Sequence, residues 1–294
     1  MIVFGGPSLV PQLKKLWKSA FGDTDRYIRL FFQYQYRPQD TLADVEDEQV
    51  RSMLFFPRYR FRVDAKETSA GYICGAATYP EHRSKGLMSA LIARAHCEMQ
   101  RRGDEYGVLI PASKSLYAYY ERFGYRPFFY RGKSERTASE LSGADSGSVA
   151  LCPADEKTLW HIYGALSARW PCAVLQDCRR ISMLMRFYPA RQKDGDRTFL
   201  ICKDGEPRGW MFCSYENGDD GARWLVREIE ADRVAADTAA AALLRIGGAS
   251  RVCMEGPENG GVSLDETRPA GMLRPLGRKG MPGCAAGYMN MMLD

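Results

Sequence analysis

Residues 79–88, Tyr-Pro-Glu-His-Arg-Ser-Lys-Gly-Leu-Met, join a run of small apolar residues at 70–78 to a long stretch of helical periodicity. A strand that feeds a basic, glycine-containing loop and then a helix is the arrangement that holds a pyrophosphate. Loop N–H groups converge on the anion, and the positive end of the helix dipole adds to the attraction. Gly86 falls at the predicted helix start, where a side chain would keep a phosphate away. The segment therefore predicts a site for a phosphorylated cofactor, with an ordinary basic turn as the plain alternative.

The elements around it fix the fold class. Helical spacing over 86–102 places Met88, Leu91, Ile92, Ala95 and Met99 on one face, with Arg101 and Arg102 in the last turn and Gly103 as the stop. Upstream, Ser8 is placed to cap a first helix carrying Leu13, Leu16, Trp17, Ala20 and Phe21, ended by Gly22. Asp23-Thr-Asp opens a second helix with Tyr27, Leu30 and Phe31. Strand patterns follow at 41–45, 49–56 and 59–63, and beyond the long helix at 106–110. Ser113 or Ser115 can cap a short helix with Leu116, Tyr119, Tyr120 and Phe123 inward, and 125–131 reads as a closing strand pair.

Small polar residues at 138–149 predict a linker. The rest repeats the order of elements: helices at 154–168 and 177–188, strands at 198–203, 209–215 and 224–229, a helix at 233–246, and strands at 251–254 and 288–293. Where the first copy has its basic loop, the second has Ile229-Glu-Ala-Asp-Arg-Val, with two acids and no glycine. The expectation is a mixed α/β (α+β) chain of two units, 1–137 and 150–294, joined by 138–149, with one anion site in the first.

Charge agrees with that placement. Residues 1–140 hold 22 Lys/Arg against 16 Asp/Glu and the remainder 19 against 20, so the net +5 comes from the half with the loop. This suits a small polyanion and is thin for nucleic acid. No run approaches the roughly 18 apolar residues of a membrane span, and the N-terminal residues lack the pattern of a secretory signal. Nine cysteines form no Cys-x-x-Cys pair, and Cys74, Cys202 and Cys213 lie in apolar runs. Together with only three histidines, this predicts reduced thiols, no metal and a cytoplasmic protein.

Arg83-Ser-Lys-Gly86-Leu-Met88 resembles motif A of the GNAT N-acetyltransferases, Arg/Gln-x-x-Gly-x-Gly/Ala, with Met88 in place of the usual small residue. The segment 109–125, ending Tyr-Glu-Arg-Phe-Gly-Tyr, resembles motif B. Together these strings look like the tandem-GNAT, Eis-like (enhanced-intracellular-survival) group, most clearly over residues 60–130. Members often add a third, sterol-carrier-like domain, for which this sequence shows no counterpart. The resemblance implies two tandem GNAT-like domains, the second degenerate, and acetyl-CoA as co-substrate without a metal.

It also implies roles. Ala76, Ala77 and Thr78, within Cys74–Thr78 of the central strand, would lie along the pantetheine arm, where small side chains permit close approach. Arg83 and Lys85 would neutralise phosphate, and N–H groups of Ser84, Gly86, Leu87 and Met88 would cradle it, with Ser115 close by. Tyr120 falls at the family's general acid, with Tyr117 and Tyr119 as packing aromatics. In the family a C-terminal carboxylate acts as base, which points to Asp294, with Glu46, Asp47, Glu48 or a water chain as alternatives. His82 would orient the loop. Phe31, Phe32, Tyr34 and Tyr36, joined by Trp210 or Trp224, are candidates to wall an acceptor cleft between the domains, and Glu228 and Glu230 to favour a cationic amine. The implied acceptor is a small cationic amine, an aminoglycoside-like molecule or a lysine, and an oligomer is compatible. The alternatives are a non-catalytic acyl-CoA-binding protein and a transferase of another acyl or aminoacyl group.

Overall fold

The computed structural model describes residues 1–64, 66–144, 149–188, 196–218, 221–231, 236–257, 265–284 and 287–289. The first half runs β1 (Ile2–Phe4), α1 (Val10–Phe21), α2 (Asp25–Tyr34), β2 (Thr41–Glu46), β3 (Gln49–Phe55), β4 (Arg58–Val63) and β5 (Lys66–Thr78). It continues with α3 (Leu87–Arg101), β6 (Tyr106–Leu109), α4 (Lys114–Glu121) and β7 (Arg126–Thr137). The second comprises β8 (Val149–Pro153), α5 (Glu156–Ser167), β9 (Cys172–Leu175), α6 (Cys178–Phe187), β10 (Asp196–Lys203), β11 (Glu206–Gly218), β12 (Gly221–Ala231), α7 (Ala236–Gly247), β13 (Arg251–Pro257) and β14 (Glu266–Pro275). The predicted mixed α/β class holds.

Local chemistry explains the helix ends near the site. Gly22 closes α1 in the left-handed conformation (φ +69°), and the Thr24 hydroxyl accepts the Tyr27 N–H at 3.2 Å to cap α2. Ser8 does not cap α1. It lies in a 3₁₀ turn over Pro7–Leu9, so the chain enters the helix through that turn.

All strands belong to one sheet, ordered β1-β2-β3-β5-β6-β14-β7-β13-β12-β11-β10-β8, with β4 pairing β5 and β9. The continuity comes from two strands. β7 is one long strand rather than the expected pair; its N-terminal part pairs with β14 and its C-terminal part with β13. β14 arrives from the end of the chain and inserts antiparallel between β6 and β7. The chain following Thr137 is partly packed: Leu141 is buried against Trp224 and Ile201 in the second half's core.

The halves share a detail that the element order only suggested. In the first, β5 and β6 pair in parallel from Ala70–Tyr106 to Ile73–Leu109, and then β5 carries a bulge where Gly75 and Ala76 oppose Leu54. In the second, β12 and β13 pair in parallel from Arg223–Arg251 to Val226–Met254, and the next residue, Arg227, is the bulge. Both parallel pairs splay at the same point. In the second half the Arg131 guanidinium donates to the Arg227 carbonyl at that bulge, so a protein side chain occupies it.

One cysteine expectation is overturned. Cys172 and Cys284 form a disulfide across 112 residues of sequence, tying the segment after β14 to β9. Gly287 and Tyr288 then bridge in parallel to Phe129 and Ala173. The predicted strand at 288–293 falls largely outside the described residues.

Candidate active site

Helices on opposite faces of the sheet meet at the first splay. α3 packs Leu91, Ile92, Ala95 and Met99 on one face, with Ala76 and the aromatics of α4 against the same cluster. α1 and α2 pack Leu13, Leu16, Trp17, Ile28 and Phe31 on the other, with Phe55 and Ala77. Gly75 is required between them. It has φ +55°, and a Cβ there would meet Phe55 Cδ2 at 2.6 Å and Trp17 Cζ3 at 2.7 Å.

From Cys74 to Thr78, β5 pairs only on its β3 side, and the edge facing β6 is unpaired among the described residues. Ser52 holds the paired side: its hydroxyl bonds the Ala77 carbonyl at 3.0 Å and the Thr78 hydroxyl at 2.7 Å. Cys74, Ala76 and Thr78 are half-buried and Ala77 buried. An open strand edge beside small side chains offers backbone groups to an extended, amide-rich ligand.

The loop continues directly from that edge. Pro80–His82 makes one 3₁₀ turn, and Arg83 Nε donates to the Thr78 carbonyl at 3.2 Å, tying loop to strand. Ser84 (φ +59°) and Gly86 (φ +76°) both adopt the left-handed conformation, and Gly86 is the N-cap of α3 without a side-chain cap. Nothing lies within 4 Å of a Cβ placed on Gly86, so the glycine meets the dihedral requirement and leaves the space before the helix open. Among the described residues, the N–H groups of Ser84 through Ser89 have no protein acceptor. Those donors, the dipole of a 15-residue helix and the exposed Arg83 and Lys85 make an anion cradle. Leu87 and Met88 are half-buried, and Met88 packs with the α3 core, which accommodates the departure from a small residue.

α4 brings Tyr120 to the same splay. The ring packs on Tyr119 (5.3 Å) and Tyr125 (6.2 Å), and the residue is 8% exposed. Its hydroxyl has no hydrogen-bond partner among the described residues. Burial pushes its pKa up to about 12, with smaller contributions from Tyr119 and Cys74. The phenol therefore stays protonated at neutral pH. Ser115 is exposed at the start of α4, its hydroxyl 2.9 Å from that of Ser113.

β14 braces this helix, which the sequence reading missed. The Tyr117 hydroxyl donates to the Pro269 carbonyl at 2.8 Å. Arg274 Nη1 lies 2.5 Å from His96 Nδ1, and His96 Nε2 lies 3.0 Å from the Tyr125 hydroxyl. Burial first, and then the Arg274 charge, push the His96 pKa down to about 3. The ring is neutral, accepts a hydrogen bond from the guanidinium at Nδ1 and donates one from Nε2.

Other expected site residues fall elsewhere. Trp210 and Trp224 are fully buried in the second half's two core clusters and wall no cleft. Glu228 and Glu230 are 4% and 1% exposed. Glu228 accepts from Trp210 Nε1 at 3.2 Å and Glu230 pairs with Arg169 at 2.5 Å, so neither is presented to an incoming amine. Strand alternation turns both under α5 rather than outward. Phe31 is core, whereas Phe32, Tyr34 and Tyr36 are half-buried. Glu46, Asp47 and Glu48 lie at the tip of the β2–β3 hairpin. Ser52 pairs with Thr78 and Arg51 with Tyr79, so this tip lies beyond the loop end of β5, away from Cys74 and Tyr120. Asp294 lies outside the described residues. Among those residues, no helix is long and apolar enough to cross a membrane.

Comparison with known proteins agrees with this geometry. Residues 6–128 match the model of an acetyltransferase (GNAT) domain. Two curated sequences, uncharacterized N-acetyltransferases from Streptomyces griseus, are each 31% identical over 127 residues, covering 40% of this chain and 30% of theirs. The match thus spans less than a third of those relatives' length. Among solved structures, a GCN5-related N-acetyltransferase from Anabaena variabilis aligns over 94% of this chain and 73% of its own, at TM-score 0.75 and 15% identity. Eis1 from Mycobacterium abscessus aligns over the same shares at TM-score 0.71 and 15% identity. A probable N-acyltransferase from Enterococcus faecalis aligns over 94% and 72%, at 0.74 and 16%. The splay, the bulge and the loop before α3 therefore lie within the residues that match a GNAT acetyltransferase domain, and the chain shares its fold with these solved structures.

Proposed function

We propose that this chain is an acetyl-CoA-dependent N-acetyltransferase acting on a primary amine, with domains at 1–137 and 150–294 and its one CoA site in the first. The observation that carries this reading is the meeting of three features at one splay: an unpaired strand edge, an uncapped helix N-terminus and a buried, protonated phenol. Ser84–Met88 N–H groups, with Arg83 and Lys85, hold the pyrophosphate; Cys74–Thr78 align the pantetheine arm; Ser115 flanks it. Acetyl-CoA supplies an activated acyl group whose departing thiolate requires a proton, and Tyr120 donates it. The amine must arrive neutral, and we assign that deprotonation to Asp294. The acceptor class is a small cationic amine, an aminoglycoside-like molecule or a lysine.

A thiol-release assay with acetyl-, succinyl- and myristoyl-CoA against a panel of amines tests the reading. Amine-dependent release from acetyl-CoA is expected. Preference for a longer acyl chain would make this a transferase of another group, and tight CoA binding without release under any amine would make it a binding protein.

A further inference from the structure

Cys74 occupies the apex of the splay. Ile73 and Leu109 are the last parallel pair, so Cys74 on β5 and Ile110 after β6 are the first residues of the two diverging arms. Both are half-buried, and both touch the cluster of Phe128, Phe129 and Met289. The neighbouring Gly75 bulge is wedged by Phe55 and Trp17, which fixes the strand at this point. Tyr120 reaches the same splay: the residue is 8% exposed, its hydroxyl has no hydrogen-bond partner among the described residues, and it lies within electrostatic reach of the Cys74 thiol. A hydroxyl without a hydrogen-bond partner among the described residues and a thiol at the first residue of the unpaired strand edge, close enough to influence one another, mark where a ligand sulfur fits.

We propose that Cys74 is a site of covalent CoA attachment, forming a mixed disulfide with CoA when the protein meets oxidised CoA. This rests on the functional reading above, because that reading brings the pantetheine thiol end to Tyr120. The step is thiol–disulfide exchange. The Cys74 thiol gives its proton to solvent, and the thiolate attacks the sulfur of the bound half of CoA disulfide. The bond between the two CoA sulfurs breaks and a Cys74–CoA sulfur bond forms. The second CoA departs as thiolate and takes a proton from Tyr120 or water. CoA disulfide is the only oxidant needed. The attached CoA fills its own site, so acetyl transfer stops until a dithiol reductant restores both thiols. The structure supplies selectivity through recognition rather than exposure: Cys97 and Cys178 are more exposed than Cys74 but lie outside the splay.

The test is peptide mapping by mass spectrometry after incubating the intact protein with CoA disulfide or, in parallel, glutathione disulfide. Modification at Cys74 should be at least about tenfold faster with CoA disulfide, because binding raises its local concentration. Cys97 and Cys178 should react with both at similar rates. Saturating acetyl-CoA should protect Cys74, and Lys85→Glu should slow its reaction with CoA disulfide but not with glutathione disulfide. Calorimetry with CoA, run alongside, separates the two claims. CoA binding with Cys74 unmodified, or modified equally by both disulfides, overturns this proposal alone. Absence of CoA binding overturns the functional reading with it.

Discussion

Replacing Tyr120 by phenylalanine deletes one oxygen from a side chain that is otherwise packed. The ring contacts with Tyr119 and Tyr125 survive, and the hydroxyl has no hydrogen-bond partner to lose among the described residues. Stability should therefore change by no more than about 1 kcal/mol, and a gain is as natural as a loss, since a largely shielded hydroxyl that makes no hydrogen bond contributes little to the fold. Catalysis should respond differently. A positioned general acid is worth roughly 10²–10⁴ in rate, or about 3–5 kcal/mol of barrier. The prediction is a fall in kcat of that size in the thiol-release assay, with KM for acetyl-CoA within about threefold, because the CoA contacts proposed above lie on β5 and the loop. The pH profile adds a sign. With the phenol at about pKa 12, only on the order of one molecule in ten thousand is ionised at pH 8, so loss of the acid should cause no decline in kcat below about pH 11. Full kcat retained by Tyr120→Phe would refute the assignment. A large drop in melting temperature beside the lost rate would make the residue structural instead.

Three further outcomes follow from other parts of the structure. Gly75→Ala adds a Cβ at 2.6–2.7 Å from two aromatic rings in a left-handed conformation, so it should cost about 2–5 kcal/mol, whereas Gly86→Ala, with open space, should cost about 1–2; chemical denaturation of both variants measures the difference, and equal costs would contradict the bulge geometry. Burial raises Glu230 to about pKa 7 despite Arg169, so its contribution to stability is full below pH 4.5 and lost as pH rises through 7. Melting temperatures from pH 5 to 8.5 should thus fall more in the wild type than in Glu230→Gln, and parallel curves would count against it. His96 has the opposite sign: its contribution is full above pH 6.5 and disappears as pH falls toward 3, so acid unfolding should begin at lower pH in a folded His96→Gln variant.

The site was more legible in the sequence than the architecture that braces it. The loop, α3, the Gly86 cap and Tyr120 are encoded within about 50 consecutive residues, where glycine placement and helical periodicity act locally. β14 was invisible for a physical reason. Glu-Thr-Arg-Pro-Ala-Gly-Met-Leu-Arg-Pro carries prolines and a glycine that signal a loop, and its register shifts twice between Pro269 and Met272. Only its two neighbours, β6 and β7, more than 130 residues away, make it a strand. The Arg274–His96–Tyr125 chain and the Cys172–Cys284 bond are nonlocal in the same way. Glu228, Glu230, Trp210 and Trp224 mislead because acids and tryptophans suggest a binding wall, while the pleat turns them into the second half's core. At the equivalent bulge there the Arg227 carbonyl accepts from Arg131, which no single-residue motif announces.

The central claim is that one anion cradle and one open strand edge at the first splay form the CoA site. Calorimetric titration of the intact protein with acetyl-CoA tests it most directly, compared with an Arg83→Glu/Lys85→Glu double variant whose fold is checked by circular dichroism. One molecule should bind per chain, and the charge reversal should weaken binding by at least about a hundredfold, since each lost phosphate contact becomes a repulsion. Two equivalents per chain, or undiminished affinity in the folded variant, would contradict the assignment.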